Sequence, residues 1–175
     1  WGSEYTSKTV ACDRILNDGD RLQLGKQEWT VLITPGHHPG HICLSSPAGI
    51  VAGDMVAGIG TILIPPGTGD MDVYIEQLER LRTLNPHLLF PSHGPVIPLP
   101  ERTLSYYIKH RKQRHQRVLD AVEYGHKTIS AIATMAYSDS PEAHPGLAQD
   151  QTLAHLLSHE RMGLVEQQSN EWNLR

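Results

Sequence analysis

Short apolar runs separated by turn residues predict several β-strands in the first hundred residues. Residues 21–24 alternate between polar and apolar side chains, directly after the turn sequence Asn17-Asp18-Gly19-Asp20, and residues 29–33 form a second run. Further short apolar runs cover residues 42–44, 49–52 and 88–90. Runs of this length, bounded by Gly, Pro, Ser and Asn, are typical of strands rather than of long helices.

One helix is predicted among these strands, over residues 71–84. Asp70 is suited to cap its first turn, and Asn85-Pro86 ends it. Tyr74, Leu78 and Leu81 follow the helical period and form one apolar stripe. Strands crossed by a helix indicate a layered domain with an α+β composition over residues 1–100.

The pattern becomes mainly helical after Pro98. We predict a long connecting helix over 101–125, with apolar positions on one side and Gly125 at its end. A short helix follows Thr128, a third covers 147–162 with Leu153, Leu156 and Leu157 facing inward, and two small strands end the chain. Helix, helix, helix and hairpin is the order of a winged-helix module, which we assign to 126–175.

Size and composition favour a folded protein of one domain with an appendage. The chain has 175 residues, 39% of them apolar, and two cysteines, Cys12 and Cys43, too few for a disulfide framework. We find no apolar run long enough for a membrane span and no signal-peptide pattern, so we expect a cytoplasmic location. Because the first residue is Trp1 rather than Met, we expect a processed or truncated chain.

Charge is distributed unevenly along the chain. Residues 101–127 contain 7 Lys and Arg against 3 Asp and Glu, whereas the whole chain has a net charge of −4. A basic helix in an acidic protein can attract a polyanion, although a solvated helix face is the commoner explanation. The candidate nucleic-acid-binding residues are Lys109, Arg111, Lys112, Arg114 and Arg117.

Three segments place metal-competent side chains at the ends of predicted strands. They are Thr34-Pro35-Gly36-His37-His38-Pro39-Gly40-His41, Val51-Ala52-Gly53-Asp54-Met55 and Phe90-Pro91-Ser92-His93-Gly94-Pro95. Imidazole and carboxylate are ligands of zinc, iron and manganese, and strand-end loops can hold them while leaving room for substrate. Each segment alone is also explained by a turn, a helix cap or a hydrogen bond to the backbone, so the prediction depends on their occurring together.

Together these segments resemble the later metal-binding motifs of the metallo-β-lactamase superfamily. The resemblance implies that His37 binds one metal ion, His93 binds the other and Asp54 bridges both. It also implies the second half of an αβ/βα sandwich and hydrolysis by a water molecule that two metal ions activate, zinc being expected and iron or manganese being alternatives. Tyr107-Ile108-Lys109-His110-Arg111 and the helical tail are similar to the β-lactamase-like protein 2 subgroup, which includes endoribonucleases specific for single-stranded RNA.

The sequence departs from that family in one respect. The motif H-x-H-x-D-H, which supplies further metal ligands, is absent, and the spacing of His155 and His159 does not replace it. We therefore expect the N-terminal half of the domain to be missing, metal binding to be weak or absent, and this chain alone to be inactive. It would then need the missing half, or a second copy, as a partner.

Several residues and functions remain as alternatives. We expect His41 to be a structural residue that orients a metal ligand, and we do not assign His38 as a ligand. Residues 58–66 either line the substrate cleft or form an ordinary connecting loop. The leading functional hypothesis is a metal-dependent hydrolase acting on RNA phosphodiesters, esters or thioesters. The alternative is a non-catalytic module that binds nucleic acid or protein.

Overall fold

A five-stranded sheet forms the first part of the molecule in the computed structural model, which describes residues 12–175. Residues 1–11 of the predicted first domain, including Trp1, therefore lie outside the described residues. The strands follow one another across the sheet in chain order: β1 (Arg21–Leu24), β2 (Gln27–Ile33), β3 (Ile42–Ser46), β4 (Gly49–Gly53) and β5 (Leu89–Pro91). The first four are antiparallel, and β5 is parallel to β4.

Helix α1 (Met71–Thr83) makes the crossover that the parallel pair β4 and β5 requires. The carboxylate of Asp70 accepts hydrogen bonds from the amides of Asp72 and Val73, so the predicted cap is present. The buried face of α1, with Tyr74, Leu78 and Leu81, shares one core with the inner face of the sheet. The strands contribute Leu32, Cys43, Ile50, Ala52 and Leu89 to that core.

The outer face of the sheet is also apolar. Strand register places Val31, Leu44, Val51 and Phe90 side by side on this face, opposite the core residues. Val31 is buried and Leu44 and Phe90 are half-buried, whereas Val51 is 38% exposed. A sheet with apolar residues on both faces is typical of a sheet covered by two layers.

The second part of the molecule contains three helices followed by a hairpin. These are α2 (Pro100–Glu123), α3 (Ile129–Ala136) and α4 (Pro145–Arg161), then the antiparallel strands β6 (Val165–Gln168) and β7 (Glu171–Leu174). Within residues 12–175, none of the helices combines the length and apolar content needed to span a bilayer. The α+β class is confirmed, while the winged-helix assignment and the exact domain boundaries stay predictions.

Helix α2 connects two hydrophobic cores. Its N-terminal half contributes Leu104, Tyr107 and Ile108 to the sheet core, and its C-terminal half contributes to a second core with Trp172. The three leucines of α4 that were predicted to face inward all pack on this second core, with Leu156 fully buried and Leu153 and Leu157 partly buried. The helix also buries polar side chains that the pattern did not indicate: Gln151, Thr152, His155, Ser158 and His159.

Candidate metal centre

His37, Asp54 and His93 converge at one edge of the sheet. They follow β2, β4 and β5, three strands that run in the same direction, so their C-terminal ends lie at the same edge. The Asp54 carboxylate lies between the two imidazoles. Its Oδ2 is 3.8 Å from Nε2 of His37, and its Oδ1 is 3.3 Å from Nε2 of His93.

The His37 ring is oriented by the loop that follows Asp54. Its Nδ1 lies 2.8 Å from the carbonyl oxygen of Leu63. Because a carbonyl can only accept, Nδ1 carries a proton and donates it, so in the neutral ring Nε2 has a free lone pair. A backbone carbonyl that fixes the second nitrogen is the usual arrangement behind a histidine that binds metal.

The spacing of the donor atoms fits metal ions placed between them. Two ligand atoms about 2.1 Å from one tetrahedral ion lie about 3.4 Å apart, close to both His–Asp separations. In addition, Asp54 Oδ1 is buried and has no hydrogen-bond partner among the described residues. Such an atom is costly to bury unless a cation or donor compensates it. A carboxylate and two imidazoles are also the donor types that zinc, iron and manganese accept.

Each pair provides only two protein ligands, however. No group of three or more His, Cys, Asp or Glu side chains in residues 12–175 is close enough together to form a metal cage. This finding agrees with the distances, since each histidine lies near a different oxygen of the Asp54 carboxylate. A catalytic zinc normally has three protein ligands.

His41 holds the backbone of Asp54. Its Nε2 accepts a hydrogen bond from the Asp54 amide at 3.0 Å, and its Nδ1 lies 2.8 Å from the Thr34 hydroxyl. Because Nε2 accepts, the proton of the neutral ring is on Nδ1, which donates to Thr34. Burial lowers the pKa of His41, while the Asp54 carboxylate acts in the opposite direction. His41, which we predicted to orient a metal ligand, therefore contacts Asp54, the predicted bridging ligand, directly.

Glycines allow the close approaches around this centre. Gly53 has φ of +54°, and a Cβ there would lie 2.5 Å from His41 Nε2. Gly36, next to His37, packs so closely against Tyr74 that a Cβ would collide with the Tyr74 backbone. The hydroxyl of Tyr74 donates to the carbonyl of Met55, the residue after Asp54. Tyr74 thus contacts the backbone beside two of the three predicted ligands.

His93 is the most exposed of the three, with 71% of its side chain accessible. Its carbonyl accepts a hydrogen bond from the amide of Gly58 at 2.8 Å, which links its loop to the segment after Asp54. His38 is exposed too, and its Nδ1 accepts from the Gly40 amide. Both histidines lie on loops, but only His93 is within ion-pair distance of Asp54.

The loop 58–66, for which the sequence allowed two interpretations, makes hydrogen bonds with His37 and with two helices. Leu63 orients His37 through its carbonyl, and Ile64 makes two backbone hydrogen bonds with the Gln151 side chain of α4. Tyr107 of α2 donates to the carbonyl of Gly60 at 2.9 Å. The loop therefore connects the candidate metal centre to α2 and α4. Its Gly and Pro content was the only signal in the sequence that marked this loop.

The predicted nucleic-acid-binding face requires a correction at two of its five residues. Arg111 and Arg114 are only 2% and 4% exposed, so they do not present their charge on the outer surface of the helix. Arg114 pairs with Asp139 and stacks on Tyr137, while Arg117 also pairs with Asp139. Arg111 and Arg114 are internal because they lie on the same side of α2 as its buried apolar residues.

The two lysines of that face are at the surface. Lys112 pairs with Glu79 at 2.5 Å, which neutralises its charge, and Lys109 is exposed. The basic surface of α2 is therefore smaller than the count of its Lys and Arg residues indicated.

Comparison with known proteins identifies relatives of this arrangement. The sequence model of the Metallo-beta-lactamase superfamily matches residues 4–93, which include all three predicted ligands. The Beta-lactamase-like protein 2 homolog of Drosophila melanogaster is 34% identical over 116 residues, which are 64% of this chain and 38% of that protein. An Atrochrysone carboxyl ACP thioesterase of Aspergillus fumigatus is 31% identical over 108 residues, covering 61% of this chain and 33% of that protein.

A solved structure extends the likeness to the helical part. The crystal structure of a metallo-beta-lactamase family protein from Thermus thermophilus superimposes with a TM-score of 0.76 and 22% identity. The match covers 91% of this chain and 54% of that one, so the likeness of fold includes most of α2 to β7. The matched segment thus spans about a third of the length of the two curated relatives described above and about half of this structure.

Proposed function

This chain belongs to the metallo-beta-lactamase superfamily, and we propose that His37, Asp54 and His93 are its share of a two-metal hydrolytic centre. The observation that carries the proposal is the position of the Asp54 carboxylate, with one oxygen facing each imidazole at 3.8 and 3.3 Å. His37 and Asp54 Oδ2 would hold one ion, and His93 and Asp54 Oδ1 the other. Zinc is the metal we expect, with iron or manganese as alternatives.

The residues of this chain would hold the metal ions and orient the ligands around them, rather than perform every step of the reaction. When bound, the metal ions would lower the pKa of a water molecule toward neutrality and stabilise the negative charge that develops on the substrate. His41 keeps Asp54 in place through its amide, and Leu63 keeps the proton of His37 on Nδ1, which leaves the Nε2 lone pair free. Both contacts reduce the reorganisation that metal binding would otherwise require.

Further ligands would have to come from another polypeptide segment, since each half-site has two. We propose that this segment covers the outer face of the sheet, where Leu44, Val51 and Phe90 are partly accessible. It would be either the first half of the domain or a second copy of the chain. On this proposal the chain alone binds metal weakly and does not hydrolyse substrate.

Two substrate classes are candidates, one supported by the comparisons and the other by the sequence. The similarity to an ACP thioesterase supports hydrolysis of a thioester or ester. The basic residues of α2 support an RNA phosphodiester less strongly than their number indicated, because Arg111 and Arg114 are buried. Both reactions need the same nucleophile, so the metal centre alone does not distinguish them.

The experiment is a hydrolysis assay on this chain together with the polypeptide segment that supplies the further ligands. Its substrates are single-stranded RNA, an aryl phosphodiester and an acyl thioester, each with zinc, iron(II) or manganese(II). We expect activity on at least one of them, and a loss of more than about 100-fold in Asp54→Ala, because even changes behind a ligand cost about 10–100-fold. The matched control is Asp13→Ala, an exposed carboxylate before the sheet. Equal activity of the two variants would overturn the proposal.

A further inference from the structure

Arg111 of α2 is buried without a carboxylate partner. It is 2% exposed, and no Asp or Glu of residues 12–175 lies within ion-pair distance of it. Its guanidinium donates to the carbonyl of Ile62 and to Gln151 Oε1, and it lies over the ring of Tyr74 at 5.5 Å. All three partners are neutral. Buried charges are normally paired, because burial of an uncompensated charge is costly.

A cavity of about 230 Å³ adjoins this side chain. The residues that line it include Thr61, His110, Arg111, Arg114, Tyr137 and Ser140. Nε of both arginines and Nδ1 of His110 have no hydrogen-bond partner among the described residues. A water molecule's share of liquid volume is about 30 Å³, so the cavity has room for several waters or for one tetrahedral oxyanion and its linkage.

The cavity is electrostatically positive. None of its lining residues in the described chain is acidic. Asp139 is shared as an ion-pair partner by Arg114 and Arg117, and the Arg111 charge has no acidic partner among the described residues. The pKa of His110 is lowered, first by burial and then by the charges of Arg111 and Arg114, as expected beside a positive site.

The cavity also shares a residue with the candidate metal centre. Leu63 lines its wall, and the carbonyl of the same residue orients His37. A ligand seated in the cavity would therefore contact the loop that holds one of the predicted metal ligands. Leu63 is therefore the residue at which the cavity and the candidate metal centre meet.

We propose that this cavity is a phosphate-binding subsite that anchors a phosphate-bearing substrate while its scissile bond lies at the metal centre. The Arg111 guanidinium, the His110 imidazole and the Tyr137 hydroxyl line the cavity, and a phosphate has more acceptor oxygens than a carboxylate to meet such donors, which favours phosphate. The substrate role rests on the proposed hydrolase function, but the phosphate site does not. The phosphate would be a diester in RNA or a monoester or diester in the carrier of a thioester.

The test is the binding of inorganic phosphate to the full chain, measured by phosphorus NMR with a chelator present to exclude metal. We expect saturable binding that Arg111→Gln weakens by about tenfold or more, the loss expected for a charged hydrogen bond. Lys109→Gln is the matched control, since it removes one positive charge from the same helix at an exposed position. It should change the dissociation constant by less than about twofold.

Leu147→Trp keeps the test decisive if Arg111→Gln fails to fold. Leu147 lines the cavity but is 44% exposed, so a larger side chain there blocks the space without altering charge. Asp54→Asn should leave phosphate binding unchanged, which separates this site from the metal centre. Methyl phosphate and dimethyl phosphate then distinguish a monoester from a diester. No phosphate binding, or binding that Leu147→Trp leaves unchanged or Lys109→Gln weakens equally, would overturn the proposal.

Discussion

The Nε2 atom of His41 accepts a hydrogen bond from the backbone amide of Asp54 at 3.0 Å. The opposite nitrogen of the same ring lies 2.8 Å from the hydroxyl of Thr34, a fully buried residue directly after β2. The imidazole therefore links the β2 end to the β4 end. It fixes the backbone of the residue that lies between His37 and His93.

Replacement of His41 by alanine should destabilise the fold even without metal. The Asp54 amide would lose its acceptor in a half-buried place, which costs about 1–3 kcal/mol of the free energy of unfolding. Urea denaturation of the metal-free chain measures this loss. His38→Ala, an exposed histidine three residues earlier, should stay within about 0.5 kcal/mol of the parent. Equal losses in the two variants would show that the bond to Asp54 contributes nothing.

Gly53→Ala should be more harmful than the same change at Gly60. Both glycines have positive φ, +54° and +79°, so both variants carry backbone strain of about 1–2 kcal/mol. Only at Gly53 would the new Cβ also meet His41 Nε2 at 2.5 Å, whereas nothing lies within 4 Å at Gly60. We expect a larger loss of unfolding free energy in Gly53→Ala, together with altered amide NMR shifts at Asp54. If Gly60→Ala is equally destabilised, the close contact with His41 adds nothing to the loss of unfolding free energy in Gly53→Ala.

The strands, the helices and the positions of the three candidate ligands were predictable from the sequence, with small errors at element ends. Periodicity indicated the elements, since each buries one face, and the ligands follow strands that all end at one edge. The internal position of Arg111 was not predictable in this way, because a charged residue on the buried side of α2 looks like any other basic residue of the helix. The bond between His37 and Leu63 joins residues 26 positions apart and depends on tertiary packing.

The buried histidines between α2 and α4 should make stability depend on pH. Burial lowers the pKa of His115 to about 4, with His159 acting in the same direction and Asp72 opposing it. The pKa of His155 is also lowered, by burial first and then by the charges of neighbouring histidines and arginines. Unfolded histidine titrates near pH 6.5, so between about 6.5 and 4 the unfolded chain binds more protons than the folded one.

Stability is therefore complete above about pH 6.5 and declines as the pH falls toward 4. Urea midpoints at several pH values across this window measure the decline. His155→Leu should flatten the profile, because it removes one buried titrating group, while the exposed His126→Gln should not. A profile as steep in His155→Leu as in the parent would exclude His155 as a contributor.

Gln151→Leu should separate the loop 58–66 from α4. Its amide accepts from the backbone of Ile64 at 3.1 Å, donates to the Ile64 carbonyl at 2.9 Å and accepts from Arg111 at 3.2 Å. Loss of these bonds leaves buried polar groups and one charge unsatisfied, which costs about 3–5 kcal/mol. Hydrogen exchange at Ile64 should accelerate in this variant. The control is Gln149→Leu on the same helix, and equal exchange in both variants would contradict the assigned role.

The most direct test of the metal centre is a zinc titration of this chain, followed through the imidazole nitrogens by NMR. We predict that Nε2 of His37 and of His93 shift together as zinc is added, that binding is weak, and that Asp54→Asn abolishes both shifts. The exposed rings of His38 and His126 serve as internal controls and should respond less. Unchanged His37 and His93 resonances at high zinc, or shifts that persist in Asp54→Asn, would contradict the claim that these three residues share a metal centre.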